Sequence, residues 1–256
     1  MSTRARQYDA RVLDREPISP HLTRLVLRRP DEFESTGVPD EWVGLVVPGQ
    51  FQSRYYTVRG LRSDELVLDV VIHELGLVTE WVERGCVGDL VTISEPKGSF
   101  AMPDDAAWLL LVGDLTAIPA IARIVETVQT PTRIWAEVPD AELKAGYLPE
   151  GAEVTWLENS EDGTSRLAEV VETLDWPEGE GYFWMAGESA QMRAIRRHLM
   201  RERKLPATAY DVMGYWRAAS QRQPRAVDPG PIWRAGKAAG QSDEEIWAAY
   251  DEAQNP

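Results

Sequence analysis

The segment RYYTVR packs Arg54, Tyr56, Thr57 and Arg59 into one short stretch. On a strand, Arg54 and Tyr56 point to the same face. A guanidinium there can grip a pyrophosphate with two parallel N–H bonds. The Tyr ring beside it offers a flat, apolar wall for an aromatic cofactor. Thr57 points the other way in an ideal strand and reaches a ligand through its backbone or at a bend. The alternative is an ordinary aromatic strand with solvated arginines.

Four further segments have side chains or amides suited to anions. In ISEPKGSF a Pro and a Gly hold a turn, and Gly98 and Ser99 expose amides toward a phosphate, unless the turn is a plain hairpin. VVIHELGLVTEWV sets His73 at a strand end and Thr79 near a helix start, where a hydroxyl and the helix dipole favour an anion. A lone His is otherwise structural. GDLTAIP joins an apolar strand to a helix, with Asp114 in the junction, Thr116 as N-cap and Pro119 in the first turn. WMAGESAQ repeats that junction with Gly187, Glu188 and Ser189, the Gly allowing close approach and the Ser capping. Nucleotide pyrophosphates sit at such C-terminal strand ends, but no G-x-G-x-x-G is present, and each junction is also a helix start with nothing bound. Tyr215 and Trp216 either cover a flat ring or fill a core.

These residues need two kinds of scaffold. YDARVLDREPIS, LTRLVLRRP, WVGLVVPG, RYYTVR, ELVLDVVIH and DLVTISEP alternate and are separated by Gly, Pro and Asp. That pattern predicts short antiparallel strands closing a barrel. One helix interrupts them, with Val78, Trp81 and Val82 on one face and Gly85 as its stop. Beyond GSFAMPDD the text becomes AWLLLVGD, TAIPAIARIVETVQ, TRIWAEV, SRLAEVVETL, YFWMAG and SAQMRAIRRHLMRER. Strands alternating with helices predict a parallel α/β domain. The fold class is therefore α/β in two domains: a barrel over 1–103 and a nucleotide-binding α/β domain over 104–219. A linker and a C-terminal helix, SDEEIWAAYDEA, are expected over 220–256.

The formal net charge of −15 argues against a nucleic-acid binder and against an anionic membrane surface. No apolar run approaches a membrane span, and the start lacks a signal-peptide core. One Cys and three scattered His exclude an internal disulfide and disfavour a metal site. The expectation is a cytoplasmic protein, monomer or homodimer, with no resident metal.

Together, RYYTVR, ISEPKGSF, GDLTAIPAIARIVE, FWMAGESAQMRAIRRHL and GYWR resemble the siderophore-interacting protein family, flavin-dependent ferric-siderophore reductases of the ferredoxin-reductase-like superfamily. The resemblance spans about residues 8–217. It implies an FAD-binding barrel, an NADPH- or NADH-binding α/β domain, and reduction of a ferric siderophore, with a ferredoxin as an alternative donor. By motif it assigns Arg54, Tyr56, Thr57, Arg59, His73, Thr79, Gly98 and Ser99 to the flavin. The second set, Asp114, Thr116, Gly187, Glu188, Tyr215 and Trp216, goes to the cofactor pair. No catalytic side chain is required, because electrons pass through FAD. The substrate-side candidates are Lys97 and Arg217. Four segments depart from the family pattern: Leu115 in GDLT, Glu158 and Asn159 in WLEN, Gly44 in WVGL and Ala219 after GYWR. The last three fall where a pyridine nucleotide or an anionic chelate would touch. Competing readings are a flavin reductase serving a protein acceptor and a flavin-bearing siderophore carrier without turnover.

Overall fold

A computed structural model describes residues 6–50, 52–73, 76–158 and 165–217. Six strands form the N-terminal part: β1 (Gln7–Ser19), β2 (Leu22–Arg28), β3 (Trp42–Val46), β4 (Arg54–Leu61), β5 (Glu65–Val71) and β6 (Leu90–Ser94). They close a barrel in the order β1-β2-β5-β4-β3-β6, all neighbours antiparallel. Closure leaves no free sheet edge. The interior is apolar, with Leu25, Leu27, Val43, Leu45, Val58, Leu68 and Ile93 excluded from solvent. Helix α1 (Leu77–Arg84) plugs the barrel with Val78, Trp81 and Val82, as its periodicity predicts, and stops at Gly85 with φ of 94°.

The second part alternates β7 (Leu109–Asp114), α2 (Ile118–Thr127), β8 (Thr132–Glu137), α3 (Ala141–Gly146), β9 (Glu153–Leu157), α4 (Leu167–Thr173), β10 (Tyr182–Glu188), α5 (Ser189–Arg197) and β11 (Tyr210–Trp216). The sheet is parallel throughout, in the order β11-β10-β7-β8-β9. β7 and β10 are buried along their whole length, which explains their unbroken apolar text. α3 and β9 escape the sequence reading because each is short and half exposed. After α5 one π-helical turn runs His198–Glu202. Gly113 is required where α2 crosses β7: a Cβ there would lie 2.5 Å from the Cβ of Ala117. Among the described residues no helix is long and apolar enough to cross a membrane.

Barrel and sheet belong to one compact unit that ends at Trp216, and the chain from Arg217 is a separate unit. The linker and C-terminal helix expected beyond 219 lie outside the described residues. Within the compact unit a polar seam joins barrel to sheet. Asp40, before β3 and free of solvent contact, accepts from the amides of Ser99 (2.9 Å) and Phe100 (3.0 Å), from the Ser99 hydroxyl (2.9 Å) and from Trp184 Nε1 on β10 (3.3 Å). Arg123 of α2 donates to the carbonyl of Val58 on β4 at 2.7 Å and to buried Glu41 at 3.3 Å. Arg24 holds Asp69 through two 2.8 Å bonds, and the Tyr147 hydroxyl donates to the same carboxylate.

Asp140, at the start of α3, accepts from Ser19 Oγ at 2.5 Å and pairs with His21 Nδ1 at 2.5 Å. Burial opposes ionisation of Asp140, but the hydrogen bonds from Ser19 and His21 outweigh it and hold its pKa below the ordinary value. A depressed carboxyl pKa adds stability above the unfolded value, near 3.9, and that stability disappears as pH falls through the folded one. Asp140→Asn is therefore expected to lower unfolding free energy at pH 7 by about 1–3 kcal/mol. In urea melts the gap to wild type should close toward pH 3; a gap independent of pH would refute the assignment.

Candidate functional site

Arg54 opens β4 with its side chain exposed. Among the described residues its one polar contact is a long one, Nη1 to the carbonyl of Ser53 at 3.5 Å. The guanidinium fork is thus available to an outside anion. Tyr56 is half-buried against the barrel core, and burial raises its hydroxyl pKa. Thr57 is buried at the seam. Strand β4 accordingly displays an available cation, an aromatic wall and a buried hydroxyl in sequence, a set that fits a dinucleotide with a pyrophosphate and a planar ring.

Arg59 does not belong to that set. Its Nη1 and Nη2 make a two-bond pair with Glu126 of α2, at 2.9 and 2.5 Å, and its guanidinium stands 5.6 Å from the Tyr147 ring centroid. The arginine read as a second flavin contact is a clamp between β4 and α2.

The G-S-F turn also differs from its sequence reading. The Ser99 amide and hydroxyl both donate to Asp40, so the amide expected at a phosphate is committed inside the protein. Gly98 is needed because a Cβ would lie 2.7 Å from the Cβ of Val38. In α1 the buried Thr79 hydroxyl oxygen accepts from the His73 amide at 3.1 Å. Lys97 is exposed, and its backbone pairs with Trp42 through bonds of 2.7 and 3.0 Å. Arg217 is exposed.

The two strand-to-helix junctions lie side by side, since β7 and β10 are neighbours. Thr116 is not the cap of α2; that position is Ala117. The Thr116 hydroxyl and amide instead donate to Asp114 at 2.6 and 2.9 Å, and Trp216 Nε1 donates to the other oxygen at 2.6 Å. Burial raises the Asp114 carboxyl pKa above the ordinary value, opposed by the bonds from Thr116 and Trp216. Similarly, Glu188 rather than Ser189 occupies the cap position of α5. Gly187 answers a packing demand: its Cβ would meet Asp114 Oδ2 at 2.7 Å. Tyr215 packs edge-on against Trp184, centroids 6.5 Å apart. Burial raises the pKa of its hydroxyl, and the Thr57 side chain beside it opposes that rise. Of the aromatic pair, Tyr215 is part of the sheet's core and Trp216 is pinned to the first junction.

Sequence reasoning missed Asp40 and Glu41 altogether. The partners of Asp40 lie far along the chain, up to Trp184, so spacing holds no signal for it, whereas Glu41 is held both by the adjacent Ser35 and Thr36 and by the distant Arg123.

Two family models match the chain. Residues 49–100 match the siderophore-interacting FAD-binding domain, and residues 106–219 match the siderophore-interacting protein model. The chain belongs to the siderophore-interacting protein family. Among solved structures, the siderophore-interacting protein SipS of Aeromonas hydrophila is 28% identical, with TM-score 0.69, over 84% of this chain and 99% of that one. A ferredoxin NADP+ reductase from Neisseria gonorrhoeae with bound FAD and NADP shares the fold, at TM-score 0.64 and 15% identity, over 83% of this chain and all of that one. The mycobactin import ATP-binding/permease protein IrtA of Mycolicibacterium smegmatis is 30% identical over 83% of this chain, which spans 26% of that protein. Ferric vibriobactin reductase ViuB of Vibrio cholerae is 29% identical over 66% of each chain. The family therefore supplies the FAD-binding barrel and the ferredoxin-reductase-like sheet, and both are present.

Two substitutions test these placements. Arg59→Ala is expected to cost roughly 1–2 kcal/mol of stability, for loss of a partly exposed two-bond ion pair, with flavin affinity unchanged in a titration of the apoprotein. Gly187→Ala is expected to destabilise by about 1–3 kcal/mol, as overpacking does, and to shift Trp216 emission because Asp114 must move. An unchanged spectrum and midpoint would show that Asp114 does not fill the space.

Proposed function

We propose that the chain is a cytoplasmic, FAD-dependent ferric-siderophore reductase that draws electrons from a reduced pyridine nucleotide and delivers them to chelated Fe(III). One observation carries the flavin part of this reading. Among the described residues Arg54, which is exposed, makes nothing stronger than a 3.5 Å contact, whereas Arg24, Arg59 and Arg123 along the seam all have carboxylate partners. An arginine left available in a chain of net charge −15 points to an anionic ligand.

In this reading Arg54 holds the pyrophosphate, Tyr56 lines the ring, and the Thr79 hydroxyl and the start of α1 complete the phosphate side. The nucleotide lies across the ends of β7 and β10, where Asp114, Gly187 and Glu188 stand. The seam ties β4 to the sheet that carries those strand ends. Bound FAD supplies the chemistry: it takes an electron pair from nicotinamide and releases electrons singly, as Fe(III) requires. Reduction weakens the hold of hard oxygen ligands on the iron. The chain contributes binding, orientation and exclusion of water from the ring, and no side chain need act as acid or base. Lys97 and Arg217, both exposed, are the proposed contacts for a chelate. Two relatives support the substrate class by their names, a ferric vibriobactin reductase and a mycobactin importer.

Purified protein is expected to carry FAD rather than FMN, identified by chromatography after heat release. Arg54→Ala should weaken FAD binding by about ten- to a hundredfold, the loss of one charge-assisted contact. Anaerobic addition of NADH or NADPH should bleach the flavin, and a ferric siderophore should restore its colour. FMN in the extract, or wild-type FAD affinity in the variant, defeats the cofactor assignment. Bleaching without reoxidation by hydroxamate, catecholate or carboxylate chelates transfers the acceptor role to a protein. Absence of bleaching makes a ferredoxin the donor.

A further inference from the structure

The carboxyl edge of the sheet is acidic where a pyridine nucleotide would place its adenosine. This inference rests on the nucleotide reading above. In parallel α/β sheets the pyrophosphate sits at the first strand-to-helix junction, and the adenosine ribose reaches the end of the next parallel strand. Here the first junction follows β7 and the next parallel strand is β8, whose last residue is Glu137. Glu137 registers with Asp114 on one side and with Leu157 on the other. Glu158, exposed, follows Leu157 directly. Neighbouring strands lie about 4.8 Å apart, so the buried carboxyl groups of Asp114 and Glu137 follow one another across the strand ends, and the exposed Glu158 comes one residue after β9.

Cations in this region are spent or turned elsewhere. Arg133 lies toward the opposite end of β8 and is 3.9 Å from Glu153. Arg166 pairs with Glu169 at 3.2 Å, and its amide donates to Glu137 Oε1 at 3.1 Å. Lys144 is in the last turn of α3, which also carries Glu142. The arginines of α5 follow β10, on the other side of β7 in the sheet order, and Arg196 donates to the carbonyl of Val212. A ribose diol donates hydrogen bonds and suits a carboxylate. A 2′-phosphate carries about −1.5 to −2 charges at pH 7 and would meet Glu137 and Glu158, where the cation beside Glu137 is Arg166, already paired with Glu169.

We propose that Glu137 and Glu158 set the donor preference of this protein, Glu137 by accepting from the 2′-hydroxyl and Glu158 by repelling a 2′-phosphate, so that NADH is selected over NADPH. Isothermal titration of the full-length FAD-loaded protein with 5′-AMP and with adenosine 2′,5′-bisphosphate isolates that phosphate, without turnover. Repulsion across a partly solvated edge should make AMP bind at least about tenfold tighter. Glu158→Arg should raise bisphosphate affinity severalfold and leave AMP unchanged. Glu137→Gln keeps the acceptor for the Arg166 amide and should weaken AMP about tenfold. The same order should appear in anaerobic flavin bleaching by NADH and NADPH. Equal or tighter binding of the bisphosphate overturns the inference while the nucleotide reading stands, and so does a preference that neither variant moves. If neither probe binds and neither dinucleotide bleaches the flavin, the nucleotide reading itself falls, and the inference falls with it.

Discussion

The Asp40 carboxylate is the interaction on which the arrangement of the two halves depends. It is wholly removed from water, which costs several kcal/mol for an ion unless its lone pairs are used. Four donors use them: two amides and a hydroxyl from the Ser99–Phe100 turn, and the indole of Trp184. Those donors come from the turn that leaves the barrel and from a central strand of the sheet. The barrel cannot rotate against the sheet without leaving this charge unsatisfied, and an unsatisfied buried charge is among the most destabilising defects a fold can carry. Arg123, reaching from α2 to the carbonyl of Val58 and to Glu41, adds a second constraint next to the residue after Asp40.

That rigidity has a consequence for electron transfer. The candidate flavin residues lie on β4 and the candidate nucleotide residues at the ends of β7 and β10. Val58, one residue beyond Thr57, is held by Arg123, and Arg59 is held by Glu126. The strand that carries the flavin motif is therefore tied to the helix that follows the first nucleotide junction. A hydride donor and acceptor must approach closely and in one orientation; in the proposed reading these ties, which hold β4 against α2, would serve that need.

The division between what spacing revealed and what it concealed follows contact range. Barrel strands, the plug helix and the buried strands β7 and β10 were legible because period and length are local properties. The roles of Arg54 and Arg59 were not separable from sequence: both are arginines on one short strand, and the difference lies in Glu126, which is 67 positions from Arg59. The amide of Ser99 looked available for the same reason, since Asp40 is 59 positions away. Thr116 and Ser189 have the side chains of helix caps, but the caps are Ala117 and Glu188. At the first junction the Thr116 hydroxyl finds a stronger acceptor in the Asp114 carboxylate than a helix amide could reward as a donor.

Charge distribution ties the seam to the candidate sites. A chain with 42 acidic and 27 basic side chains has too few cations to neutralise every carboxylate. The seam takes three of its arginines: Arg24 and Arg123 for the buried Asp69 and Glu41, and Arg59 for the exposed Glu126. Asp114 has no such partner; hydroxyl, amide and indole donors support it, and its carboxyl pKa is raised by burial. The result is a contrast between an exposed guanidinium at the start of β4 and the adjacent carboxyl groups of Asp114 and Glu137 at the ends of β7 and β8. An anionic pyrophosphate and a hydroxyl-rich ribose call for opposite environments, and the protein has both because its arginines were placed for the seam first.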